Sequence, residues 1–91
     1  MQLKELLQDI YGLDERLRVL EQNYGILSEE MYRLYRLGEL EQSKDLIRWV
    51  GYYEFKQERQ RAYAIALREH WLNLRRTNLE TPILLQPLAA T

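Results

Sequence analysis

The amino-acid sequence predicts an all-α protein. A long N-terminal helix, a short middle helix and a long third helix are expected to form an antiparallel helical hairpin or bundle. Apolar residues recur at helical spacing over most of residues 1–77. Glycine followed by serine interrupts that pattern twice. Pro82 and Pro87 oppose ordinary helix near the C-terminus. We therefore predict one helical domain over residues 1–77 and an extended proline-containing tail over residues 78–91.

Composition limits the classes of protein that the chain can belong to. Its 91 residues are 46% apolar and 30% charged, which is typical of one small globular domain. The absence of cysteine excludes a disulfide framework and a thiolate nucleophile. No run of about 18 apolar residues is present, so no transmembrane helix is predicted. The N-terminal sequence has no signal-peptide pattern, and a cytoplasmic location is the expectation.

Charge is distributed unevenly between the two halves of the chain. Residues 1–45 carry six Lys and Arg against ten Asp and Glu, and residues 46–91 carry seven against four. The halves therefore have net charges of −4 and +3, although the whole chain is at −1. This asymmetry favours antiparallel packing of the two halves, or a charged partner.

The first helix is predicted over about residues 2–24. Its apolar residues are spaced alternately by three and four positions, as in a coiled coil or helical hairpin. We call these positions the helix-one seam: Leu3, Leu6, Ile10, Leu13, Leu17, Leu20 and Tyr24. The seam is expected to pack inside the monomer or to form a homo-oligomer. Gly12 lies within this helix, where it indicates either a kink or a close approach of another helix.

Two stop-and-start signals set the limits of the other helices. Gly25 and Gly38 suit the left-handed conformation that follows a helix, and Ser28 and Ser43 suit the position that caps the next helix. The second helix is thus predicted over about residues 29–37 and the third over about residues 44–76. Residues 56–61 of the third helix contain no apolar side chain. We favour one continuous helix through them, with a break near 57–61 as the alternative.

Catalytic chemistry has little support in the sequence. The single histidine, His70, is accompanied by no cysteine and by no regularly spaced pair of carboxylates. Neighbouring glutamates such as Glu29 and Glu30 are better explained by the start of a helix, where negative charge is favourable. The four glycines are isolated, so no phosphate-binding loop is predicted. We expect a protein that is not an enzyme and that has no catalytic residue, metal or cofactor.

Nucleic-acid binding is a weaker interpretation. Arg61, Arg68 and Arg75 are seven residues apart on one face of the third helix, with Arg76 beside them. Such a stripe of cations is what phosphate binding requires. Against this interpretation, Glu58 interrupts the stripe, the chain is acidic overall and no known recognition motif is present.

A family resemblance lies in the middle of the chain. It rests on the string YGILSEEMY at residues 24–32, on GEL at residues 38–40, and on Asp45, Trp49, Tyr53 and Glu54. These strings resemble a family of small helical bacterial and archaeal proteins regarded as antitoxin-like members of toxin–antitoxin pairs. Leu27 and Met31 stand where the family pattern has Ser and Phe. The resemblance implies a non-enzymatic protein that binds and neutralises a cognate toxin.

The residues expected to contact such a partner are apolar and lie towards the C-terminus. They comprise four residues of the third helix and three of the tail: Tyr63, Leu67, Trp71, Leu74, Ile83, Leu84 and Leu85. An amphipathic helix and an extended tail are both common recognition elements. The second interpretation is a homo-oligomeric helical scaffold or adaptor that binds copies of itself. The third is a weak nucleic-acid binder that uses Arg61, Arg68, Arg75 and Arg76.

Overall fold

The computed structural model of the chain describes residues 2–75 and 82–87. Over these residues the chain forms three helices and no strand: α1 (Leu3–Tyr24), α2 (Ser28–Arg36) and α3 (Lys44–Arg75). The predicted all-α fold is confirmed. Each described helix end lies within one residue of its predicted position. Arg76 of the predicted third helix, and residues 78–81 and 88–91 of the predicted tail, lie outside the described residues.

Helices α1 and α3 form an antiparallel hairpin. Tyr24 at the end of α1 contacts Asp45 and Trp49 near the start of α3. Further along, Lys56 of α3 pairs with Asp14 of α1 at 2.6 Å, and Arg59 lies 3.9 Å from Asp9. Helix α2 lies in the connection between the long helices and packs on the same end of the hairpin as Trp49.

The helix-one seam forms one side of the core. Its five central residues are all buried: Leu6, Ile10, Leu13, Leu17 and Leu20. Burial of these five residues agrees with the first of the two uses predicted for the seam, packing inside the monomer. Around its C-terminal end, Leu17 and Leu20 pack with buried residues of the other helices: Met31, Leu46, Trp49 and Val50.

Residues 56–61 are polar yet continue α3 without a break, as predicted. Lys56 and Arg59 face α1, since their side chains are only 21% and 17% exposed and pair with α1 carboxylates, whereas Arg61 is exposed. Long basic side chains pack their methylene groups on apolar surface while the charged group reaches a carboxylate. Part of the charge asymmetry between the two halves is therefore used within the molecule, in the ion pairs with Asp14 and Asp9.

Of the two serines predicted to cap helices, one does so and the other does not. Ser43 accepts a hydrogen bond from the backbone N–H of Leu46 at 3.1 Å and caps α3 as expected. Ser28 does not cap α2. Its hydroxyl is buried and accepts a hydrogen bond from Trp49 Nε1 at 2.9 Å, while its backbone N–H donates to the Glu21 carboxylate at 2.8 Å. A glutamate of α1 thus satisfies one backbone N–H at the start of α2, and the serine orients the core tryptophan.

Gly38 ends α2 through a pair of backbone hydrogen bonds. The N–H of Gly38 donates to the carbonyl of Tyr35, and that of Glu39 donates to the carbonyl of Leu34, both at 3.0 Å. This is the Schellman arrangement, which needs a left-handed residue at the glycine position. Gly38 has a φ of 73° and Gly25 a φ of 68°, whereas Gly12 lies within α1.

Alanine substitutions at Gly12 and Gly25 are expected to change stability in opposite directions. A Cβ at either position would meet no atom within 4 Å, so backbone conformation decides the result. Gly12→Ala should stabilise the protein by about 0.5–1 kcal/mol, because alanine is the better helix former. Gly25→Ala should destabilise it by about 1–2 kcal/mol, because the left-handed conformation is unfavourable for alanine. Urea denaturation measures the stability of both variants. A change in the same direction for both would contradict the prediction.

Candidate partner-binding surface

Helix α3 is longer than the helix that covers it. The antiparallel register places Arg59 beside Asp9, and Ala62 and Ala66 line a shallow cleft together with Leu6. Because α1 begins only three residues before Leu6, the last two turns or so of α3 extend past its N-terminus. This projecting end contains Trp71 and Leu74, two of the residues that the sequence predicts to contact a partner.

Four predicted contact residues share one face of α3. Tyr63, Leu67, Trp71 and Leu74 are spaced by four, four and three residues, which places them on one side of the helix. We call this set the terminal face. Leu74 is 45% exposed, and the other three are partly buried. The terminal face continues the stripe of Trp49 and Tyr53 that packs within the hairpin, so it has the composition of an interior surface.

The tail residues lie in a separate described stretch, residues 82–87, which has neither helix nor strand. Ile83 is partly buried, whereas Leu84 and Leu85 are 78% and 80% exposed. Two adjacent leucines exposed to this degree are available for contact with another molecule.

The arginine stripe lies on a different side of α3. Arg61 and Arg68 are exposed and Arg75 is partly buried, while Arg76 falls outside the described residues. On a helix with 3.6 residues per turn, the stripe is centred about 100° around the axis from the terminal face. The apolar and basic surfaces predicted on helix three are therefore separate, and substitutions can test each one alone.

A second concave surface occurs at the opposite end of the hairpin, and the sequence did not predict it. This cleft, which we call the loop cleft, has a volume of about 170 Å³. Its lining comes from the α1 end, the α2 region, the loop after α2 and the start of α3: Tyr24, Ile26, Met31, Leu40, Glu41, Ser43, Asp45, Leu46 and Trp49. The one sequence signal was Leu40, an apolar residue between two glutamates in a predicted loop.

Two tyrosines close to this end have perturbed acidity. The pKa of Tyr24 is raised chiefly because its hydroxyl donates a hydrogen bond to the Asp45 carboxylate, with smaller effects from desolvation and the negative charge of Asp45. The pKa of Tyr53 is raised by desolvation and then by the negative charge of Glu29. Both phenols thus stay protonated, and able to donate a hydrogen bond, above their usual pKa of 10.0.

Within residues 2–75 and 82–87, no three His, Asp or Glu side chains approach closely enough to hold a metal ion. His70 is exposed on the projecting end of α3. In the same part of the chain, none of the helices has the length and apolar content needed to cross a membrane.

Comparisons with protein-family models, with curated proteins and with solved structures found no match to this chain.

Proposed function

We propose that this chain is a non-enzymatic interaction protein that binds and neutralises a cognate toxin, as antitoxins do. The observation that carries the proposal is the terminal face. The terminal face continues the apolar stripe that packs inside the hairpin. Beyond the N-terminus of α1, however, no residue of α1 covers this stripe. A partner helix or strand that covers it would gain the stabilisation that α1 provides to the rest of α3.

The composition of the terminal face also supports a protein partner. Tyrosine and tryptophan are enriched in interfaces and often contribute most of the binding energy. Tyr63 and Trp71 stand among leucines on this face, and Leu84 and Leu85 of the tail add exposed apolar surface. The resemblance of residues 24–54 to antitoxin-like proteins adds the class of partner.

The proposal predicts that one substitution on the terminal face releases the partner. The tagged full chain, recovered from its native host, should carry one small protein in stoichiometric amount, which is toxic alone and harmless when co-expressed with this chain. Leu74→Asp should weaken that binding at least about tenfold, because it places a charge in an apolar interface. Affinity by calorimetry and growth rescue are the measurements.

Leu72→Asp is the matched control. Leu72 is 64% exposed on the opposite side of α3, so the same substitution adds the same charge outside the terminal face. Partner binding that survives Leu74→Asp, or that is lost equally in both variants with unchanged helix content, would contradict the proposal. A truncated chain lacking residues 78–91 should also lose the partner while keeping its helix content.

A homo-oligomeric scaffold is the second candidate, and the same face favours it. Two copies could pair their projecting α3 ends, since each exposes the same apolar stripe. In that case the chain would be recovered only with copies of itself, and Leu74→Asp would reduce the mass measured by light scattering to that of one chain.

Nucleic-acid binding is the third candidate, and double substitution of Arg61 and Arg68 with alanine would abolish a salt-sensitive interaction of that kind.

A further inference from the structure

The loop cleft lies at the end of the hairpin remote from the terminal face. From Leu46 to Trp71, α3 rises by about 38 Å. A single small contact with a partner therefore cannot cover both the loop cleft and the terminal face. Nothing in the proposed function uses the cleft. An inference about it therefore stands or fails independently of toxin binding.

The floor of the loop cleft is apolar and firmly held. Met31, Leu46 and Trp49 form it, and their exposures are 1%, 7% and 4%. The indole N–H of Trp49 is already satisfied by Ser28, at 2.9 Å, so the ring presents an apolar surface. The Tyr24 ring stacks on the Trp49 ring, with centroids 5.7 Å apart, and fixes its orientation. A ligand group that reaches this floor must therefore be apolar.

The volume of the cleft sets the size of that group. A cavity of about 150 Å³ lined by aliphatic and aromatic side chains is large enough for benzene. The loop cleft, at about 170 Å³, matches one leucine, methionine or phenylalanine side chain. Ile26 and Leu40 form partly buried apolar walls, and the cleft is open to solvent on one side, so a side chain of another molecule can enter.

The rim of the cleft is acidic. Glu41 and Asp45 line it, and Glu39 lies two residues before Glu41 in the same loop. Lys44 is the single cation among residues 39–45, which leaves this segment with a net charge of −2. The Asp45 carboxylate is held in place by the hydrogen bond from Tyr24. Charge complementarity therefore favours cationic groups next to the apolar group that enters.

We propose that the loop cleft binds a protein segment in which one apolar residue is flanked by lysine or arginine. The apolar side chain fills the space above Met31 and Trp49. The flanking cations approach Glu41 and Asp45 at the rim. The partner of the loop cleft is thus recognised by a basic–apolar–basic sequence. The partner of the terminal face is instead recognised by an apolar surface.

Short amidated peptides test this proposal on the full chain. The probe is acetyl-Arg-Leu-Arg-amide, and its controls are the Arg-Gly-Arg and Glu-Leu-Glu peptides. In ¹⁵N–¹H spectra, the first peptide should produce saturable shifts at the Trp49 indole N–H and at the amides of residues 26 and 40–46, with a dissociation constant on the order of 1 mM. Trp71→Phe assigns the two indole signals. The Glu-Leu-Glu peptide should bind at least about threefold more weakly, since two favourable exposed ion pairs are replaced by repulsions.

A pair of charge-reversal variants locates the effect. Glu41→Lys, at the exposed rim, should weaken binding of the Arg-Leu-Arg peptide by about twofold or more, since one favourable exposed ion pair becomes a repulsion. Glu69→Lys makes the same change in net charge at an exposed position near the other end of α3 and should leave binding unchanged. Equal shifts with the Arg-Gly-Arg peptide, absence of saturable shifts at the cleft, or equal loss in both variants would overturn the proposal. None of these results depends on whether Leu74→Asp releases a toxin.

Discussion

Replacement of Trp49 by alanine is expected to lower the free energy of unfolding by about 3–5 kcal/mol. The indole is 4% exposed and packs among Leu17, Leu20 and Met31. Removing it opens a cavity where three helices meet, so no single helix can shift to fill the space. A domain of this size is stable by only about 5–15 kcal/mol, and the loss is a large part of that total.

The second tryptophan provides the matched control. Trp71 is only partly buried, on the projecting end of α3. Trp71→Ala should therefore cost about 1 kcal/mol or less, as at positions outside the core. Urea denaturation followed by circular dichroism measures both variants. A loss below about 1 kcal/mol for Trp49→Ala, or one no larger than that for Trp71→Ala, would show that Trp49 is not central to the core.

Replacement of Met31 by alanine is expected to cost about 2–5 kcal/mol and to detach α2 from the hairpin. A helix of nine residues is not stable in water without tertiary contacts. Met31 is the one apolar residue of α2 that is fully buried, at 1% exposure, and it packs in the same cluster as Trp49. Loss of its side chain removes the principal apolar contact that holds α2.

Leu37→Ala is the control for Met31. Leu37 directly follows α2 and is 63% exposed, so its truncation should change stability by about 0.5 kcal/mol or less. Hydrogen exchange resolves the local effect. In Met31→Ala the amides of α2 should lose protection before those of α1 and α3. Uniform loss of protection across all three helices would contradict a separate detachment of α2.

Much of the fold could be predicted because it depends on local and periodic signals. The helix-one seam predicted which face of α1 is buried, since a repeat of three and four residues keeps one side of a helix in register with its partner. Gly25, Gly38 and Ser43 act within a few residues of their own position in the chain. Their conformations follow from the glycine or hydroxyl itself, and the structure uses them as predicted.

The role of Ser28 could not be predicted in the same way. Its hydroxyl suits a helix cap, but in the structure it accepts a hydrogen bond from Trp49, 21 residues away, and the cap comes from Glu21. Both alternatives use the same hydroxyl oxygen of Ser28 as the acceptor, either for a backbone N–H of α2 or for the indole N–H of Trp49. The choice between them depends on where α1 and α3 place Glu21 and Trp49, which is a property of tertiary packing.

The same distinction, between local signals and tertiary packing, applies to the two candidate surfaces. The terminal face was visible in the sequence, because Tyr63, Leu67, Trp71 and Leu74 repeat along one helix. The loop cleft was not visible, because its residues come from four segments that meet only after folding. Its single local trace was Leu40 between Glu39 and Glu41.

The sequence by itself determined the helical class, the approximate helix ends and the buried side of α1, because these follow from periodicity and from residues that act locally. Only the tertiary structure decided that the helix-one seam is used within the monomer, that Lys56 and Arg59 pair with α1, and that α3 projects beyond it. These features depend on the register between two long helices. That register is set by the sum of many packing and charge contacts between residues far apart in the chain.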